Sequence, residues 1–220
     1  MSTPRIDMST QRIGIFAAIA AAVVVVIVGA LYFEGVFGTA QLYCVKMGDK
    51  WGYVNTAGKY VINPQFDDAR VFDRNSNLAV VKLGGKWGFI DKDGKYAVNP
   101  QFDEADGFDK ATGLAAVELS DKWGFIDESG KYVINPQYQS VGVFGERVML
   151  CNVELDGKWG YIDAKGNFAI NPQFDSATPF GSRSGLAAVE VNGKWGLIDS
   201  TGKYVVNPQF DDIQYNLPND

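Results

Sequence analysis

From residue 42 onward, apolar and polar positions follow a short-strand pattern that breaks and restarts at regular intervals. "LAAVEL" at 114–119 and "KWGFID" at 122–127 are apolar runs joined by Ser120-Asp121, and "KYVIN" at 131–135 is a third run that stops at Pro136. Loops of two residues drawn from Asn, Asp, Gly and Ser suit hairpin turns, because such turns require positive φ. The second connection, "DESGK" at 127–131, carries a glycine where a left-handed residue would end the turn. Three antiparallel strands and a loop are therefore expected in each unit. The hairpin frame sets Glu118 opposite Trp123, Val117 opposite Gly124, Ala116 opposite Phe125 and Ala115 opposite Ile126. Both faces of such a sheet are apolar, so neighbours must cover both, with Trp filling the space between units and Gly leaving room for a crossing element.

The period is 36 residues without insertion. All five tryptophans keep it, each followed by glycine: Trp51-Gly52, Trp87-Gly88, Trp123-Gly124, Trp159-Gly160 and Trp195-Gly196. Aromatic residues recur nine positions after each Trp (Tyr60, Tyr96, Tyr132, Phe168, Tyr204) and again at fifteen (Phe66, Phe102, Tyr138, Phe174, Phe210). A third set, Phe72, Phe108, Phe144 and Phe180, lies at twenty-one. A fixed period of this length marks a stack of like units. The expected fold is an all-β array of five three-stranded meander units. Five whole units fit from 42 to 213 with none divided between the termini, which favours an open solenoid over a five-bladed propeller.

The first 40 residues differ in kind. "IGIFAAIAAAVVVVIVGALYF", residues 13–33, has no charge over 21 residues, long enough as a helix to cross about 30 Å of hydrocarbon. Arg5 and Arg12 precede it and no basic residue follows before Lys46, which places the N-terminus in the cytoplasm and the repeats outside it. The expected organisation is a tail at 1–12, a transmembrane helix at 13–33, a linker at 34–41 and a β domain at 42–220. A cleaved signal peptide is the competing reading, with "FGTA" ending at Ala40 as its site, but the apolar run is longer than such signals need.

These motifs resemble a known family. "KWGFID", "GKYVINPQF" and "GLAAVEL" are similar to the WG-repeat, or KWG-repeat, family of bacterial proteins, over residues 42–213. The resemblance implies an all-β repeat module, often joined to other domains or to a membrane segment, with no catalytic residues to transfer. Copy three departs from the pattern at "QYQSVGVFGERVMLCNVEL": Gln139 stands where an Asp recurs, and Met149–Asn152 replace "GLAA".

Composition narrows the function. The 220 residues carry a net charge of −6 and no histidine. A nucleic-acid partner is not expected without a basic surface, and the lack of histidine removes the commonest general base and zinc ligand. Paired acids, Asp67-Asp68, Asp103-Glu104 and Asp211-Asp212, recur at one place in the frame, and a single acid, Asp175, stands there in a fourth copy, unlike an active site. "DKDG" at 91–94 reads as a turn and not a calcium loop, since its equivalents lack the second carboxylate. No catalytic residue, metal site or cofactor is expected. Cys44 and Cys151 are expected as small core residues too far apart to bridge.

The leading expectation is a membrane-anchored, non-catalytic scaffold presenting an acidic β surface to a protein partner with basic character. Asp67, Asp103, Asp175 and Asp211 would form its acidic line, and Phe144, Arg147, Val148 and Met149 would anchor the partner at copy three. The alternative is an extracytoplasmic module that stacks glycans or cell-wall polymers on repeated aromatic rings.

Overall fold

The computed structural model describes residues 41–214, and within them every element is a strand. The expected membrane segment at 13–33 lies outside the described residues; among those described, no helix is long and apolar enough to cross a membrane. The first sheet contains β1 (Tyr43–Met47), β2 (Lys50–Val54) and β3 (Tyr60–Phe66). The second contains β4 (Asp68–Ala69), β5 (Ala79–Leu83), β6 (Lys86–Ile90) and β7 (Tyr96–Phe102), paired in that order. The third repeats it with β8 (Glu104–Ala105), β9 (Ala115–Glu118), β10 (Trp123–Ile126) and β11 (Tyr132–Tyr138). The fourth has β12 (Ser140–Phe144), β13 (Cys151–Leu155), β14 (Lys158–Ile162) and β15 (Phe168–Phe174). The fifth has β16 (Ser176–Ala177), β17 (Ala187–Val191), β18 (Lys194–Ile198) and β19 (Tyr204–Phe210).

The three-stranded meanders stand as expected, and β9 pairs with β10 in the expected register, Glu118 opposite Trp123 through Ala115 opposite Ile126. The loop after each meander is more ordered than its sequence suggests. One residue past the third strand, the chain begins a short strand that adds to the next sheet, as Asp68 and Ala69 do opposite Lys82 and Val81. Four of the five sheets are therefore four-stranded, and each of these linking strands comes from the preceding repeat.

The tryptophan and glycine roles need correction. Trp51, Trp123, Trp159 and Trp195 are half-buried, and only Trp87 is buried. Arg70 and Lys82 each lie over the Trp87 ring, 5.2 Å from its centroid, within cation–π range. The fully buried rings are instead Tyr53, Phe89 and Tyr161, two residues after the Trp, and Phe66, Phe102, Tyr138 and Phe174, fifteen after it. Phe125 belongs to the same set, and its ring packs 5.4 Å from that of Phe144. The aromatics at position twenty-one close this layer, with Tyr53–Phe72, Phe89–Phe108 and Tyr161–Phe180 at 4.8–4.9 Å.

The glycine accommodates a bulge in its own sheet. Between Trp51↔Phe66 and Tyr53↔Ile62 the third strand holds two extra residues, at the Asn-Pro-Gln segment. That bulge presses the backbone onto the second strand, and a Cβ on Gly52 would lie 2.6 Å from the Ile62 oxygen and the Pro64 nitrogen. Gly88, Gly124, Gly160 and Gly196 meet the same atoms of their own sheets at 2.5–2.7 Å. The Trp-Gly pair and the Asn-Pro-Gln segment are thus two sides of one contact.

Neighbouring units meet through a turn glycine. A Cβ on Gly94 would lie 3.2 Å from Ile62 of the preceding unit, one on Gly130 2.8 Å from Val98, one on Gly166 3.1 Å from Ile134, and one on Gly202 3.4 Å from Ile170. Gly58 faces open space, and Phe210 is 48% exposed where its four counterparts are buried. Among the described residues the first and fifth units do not cover each other, which is consistent with an open arrangement.

Candidate functional site

The acids that follow the third strands are placed by the linking strands. Asp67 accepts hydrogen bonds from Lys50 Nζ of its own unit at 2.5 Å and from the backbone N–H of Gly84 in the next hairpin at 2.7 Å. Asp103 does the same with Lys86 and Ser120, and Asp175 with Lys158 and Asn192. Each carboxylate is a clip between consecutive units. The lysine and then the hairpin amide hold all three carboxyls below the usual aspartate range. Asp211 pairs with Lys194 but has no hairpin to reach, and its side chain is 92% exposed. In copy three the Gln139 side-chain oxygen accepts the Asp156 N–H at 3.1 Å, so an uncharged residue makes the same backbone contact.

The four aspartates therefore lie at equivalent positions, as the spacing implies, but each has a lysine on it. Negative charge that is not matched in this way gathers nearby. Glu104 pairs with Glu118 across β8 and β9, and burial, then Asp121, Asp103 and Glu104, push the Glu118 carboxyl up.

Copy three is where the surface differs most. β12 has five residues where the other linking strands have two, with a register shift between Val141 and Phe144. Asn152 occupies a buried position held by Val80, Ala116 and Ala188 in other units; its Nδ2 donates to the Ala177 carbonyl at 3.0 Å, while its Oδ1 has no hydrogen-bond partner. Gly142 makes room for this side chain, since a Cβ there would lie 2.0 Å from Asn152 Oδ1. Phe144 is buried against Phe125 and cannot serve as a surface anchor, and Val148 is half-buried against the core of the following unit. Arg147 is exposed and donates to the Arg183 carbonyl at 2.7 Å.

Met149 was selected from sequence for its character, and its backbone gives a further reason. It has φ of 59° where the equivalent residues are Asn77, Gly113 and Gly185, and its side chain is 36% exposed. A left-handed conformation costs an ordinary residue about 1 kcal/mol. Val143, in β12 just ahead of that turn, is 55% exposed, as its equivalent Val71 is at 73%. That outward position belongs to the repeat frame, since Val71 follows a linking strand of only two residues.

Asp91 Oδ1 accepts the backbone N–H groups of Asp93 and Lys95, and Asp127, Asp163 and Asp199 make equivalent bonds, so these aspartates cap turns. Cys44 and Cys151 are free thiols, with burial pushing that of Cys151 up to about 12. Among the described residues no group of three or more acids or cysteines is arranged to hold a metal ion.

No curated protein matches the chain in sequence. Solved structures are similar in fold at low identity. A structure titled as the eukaryotic initiation factor superposes with a TM-score of 0.52 at 12% identity, covering 80% of this chain and 54% of that one. Kluyveromyces lactis Hsv2p gives 0.46 at 12%, with 75% and 59% covered, and the WD40 β-propeller domain of Doa1 gives 0.38 at 12%, with 77% and 72% covered. The chain spans between about half and three-fifths of the length of the first structures it matches. The family model described as a WG containing repeat matches at 51–87, 87–123, 123–159, 159–195 and 195–217, so five consecutive copies account for most of the chain and it belongs to the WG-repeat family.

Proposed function

We propose that this protein is a non-catalytic scaffold, tethered to a membrane by residues 13–33 with its repeats outside the cytoplasm, that binds a protein partner at the copy-three loop. The observation that carries the reading is Met149. A bulky residue in left-handed backbone, exposed to solvent, stands at a position where two other copies use glycine. Val143 and Met149 supply apolar contact area beside the exposed guanidinium of Arg147. The net charge of −6 and the crowding around Glu118 favour a partner with a basic surface, steered by long-range attraction rather than by the four clipped aspartates. Affinity capture with the full chain from detergent-solubilised membranes of the source cells tests this. A specific partner should be retained by the unaltered chain and lost with Val143→Glu or Met149→Glu, and its association should slow with added salt. Retention by both variants removes the copy-three loop from the interface.

Glycan binding is the second reading. Tyr60, Tyr96, Phe168 and Tyr204 are exposed at the start of the third strand in four of the five units, while Tyr132 in the third unit is half-buried. The tryptophans suit it less well, since Lys46, Arg70 and Lys82 lie over the Trp51 and Trp87 rings. Saccharide binding abolished by Tyr96→Ala and Phe168→Ala, with copy three unaltered, would favour this reading.

A further inference from the structure

Among the described residues, one sheet is short of a strand and one linking segment lies beside no sheet. The first sheet has three strands, and the outer edge of β1 has no strand beside it among the described residues. At the other end, Asp211–Gln214 is the counterpart of the segments beginning at Asp67, Asp103, Gln139 and Asp175, each of which adds a strand to the following sheet.

The two ends match group by group. In every internal joint the first residue of the linking segment donates its N–H to the first strand of the next sheet, as Asp67 does to the Lys82 carbonyl at 2.8 Å and Asp175 to that of Glu190 at 2.9 Å. The equivalent acceptor in the first sheet is the carbonyl of Lys46. The free oxygen of each clipped aspartate accepts a hairpin N–H, and the hairpin equivalent in the first unit begins at Gly48. Asp211 is already held at one oxygen by Lys194, leaving the other for such an amide. The apolar parts match as well. Val206 is only half-buried and Phe210 is 48% exposed, whereas Ile62, Val98, Ile134 and Ile170, and Phe66, Phe102, Tyr138 and Phe174, are buried by the next unit. Gly58 offers the space that Gly94, Gly130, Gly166 and Gly202 fill against those residues.

We propose that Asp211–Gln214 of one copy adds as the fourth strand to the first sheet of a second copy, joining chains head to tail through the same joint that joins units within a chain. A second copy is favoured over the chain's own first sheet because the four internal joints leave the first and fifth units apart among the described residues. Strand addition of this kind draws its affinity from main-chain hydrogen bonds and its register from side-chain pockets. The contact is heterologous, so it propagates or closes into a ring of several copies.

The test uses the full chain in non-ionic detergent, with Cys44→Ala as background. One preparation carries Lys46→Cys and another Asp212→Cys, the pair equivalent to Lys82 and Asp68, which face each other across β4 and β5. Mixing and mild oxidation should yield covalent dimers containing one chain of each kind. A double variant that only bridges within single chains, with no mixed dimers, would show the chain's own tail on β1 and overturn the proposal. The absence of bridges in both experiments would mean that another segment covers that edge, and would overturn it equally. Independently, sedimentation of the chain without added cysteines should show concentration-dependent association, weakened about tenfold by Asp211→Ala through loss of a charge-assisted bond. A monomer at all concentrations, or association indifferent to Asp211→Ala, also overturns it.

Discussion

Gly124 and Pro136 occupy adjoining strands so closely that a Cβ on the glycine would stand 2.6 Å from the proline nitrogen. The atoms in the way are backbone, held by a bulge, so no rotamer change relieves the overlap. Gly124→Ala should therefore destabilise the domain by about 3 kcal/mol or more, whereas Trp123→Ala, which removes a half-buried ring, should cost about 2 kcal/mol. Denaturant unfolding of the two variants checks the order; a larger loss at Trp123 would mean that the ring, and not the strand contact, is what the repeated pair protects.

Position in the array should govern the cost of losing the same ring. Phe102 is 1% exposed beneath the third unit, where Tyr132 meets it at 6.3 Å, and Phe102→Ala should cost about 3–5 kcal/mol. Phe210→Ala should cost about 1 kcal/mol, since half of that ring is already in water. The comparison is made by denaturant unfolding at low protein concentration, where chains are separate. Equal losses would indicate that the last unit is covered by its own chain.

Met149 offers a gain. Replacing it with glycine relieves the left-handed strain at φ 59° but loosens the unfolded chain, and the net effect should be a stabilisation of up to about 1 kcal/mol. A rise in midpoint denaturant with weaker partner binding is the expected combination. Unchanged partner binding would detach the strained residue from the interface.

Acid should weaken the joints. Asp67, Asp103 and Asp175 have carboxyl pKa values below those of the unfolded chain, so folding is favoured by their ionisation. That contribution is complete above the unfolded value near pH 4 and is lost as pH falls through the lower folded values. Thermal scans between roughly pH 2 and 7 should show the midpoint falling below about pH 4, and the triple variant D67N/D103N/D175N should lose part of that fall.

The meanders and their register were legible because alternation, two-residue loops and a strict period each constrain the same backbone. The β9–β10 pairing follows from the Ser120-Asp121 loop alone. The linking strands were not legible: Asp68-Ala69 is too short to show a pattern, and its partner lies in another repeat. The same gap in local signal hid the clips, because Asp67 and Gly84 are 17 residues apart and meet only once that strand forms. Trp was misjudged for a different reason. Its size suggests core, yet only Trp87 is buried and the other four rings are half-buried, while the smaller Tyr53 and Phe89 fill the interior. At copy three, Phe144 keeps the aromatic frame and packs accordingly, and Val143 is exposed as Val71 is, so what sets the surface apart is Met149.

Gln139 makes the third-to-fourth seam unlike the other three. An amide side chain has no proton to gain in the acid range, so its bond to the Asp156 N–H persists where Asp67, Asp103 and Asp175 let go. Acid would then divide the molecule unevenly, leaving the middle pair of sheets associated after their neighbours have loosened. The copy that departs from the repeat would become the last kernel of order, and the loop bearing Val143 and Met149 sits on that kernel.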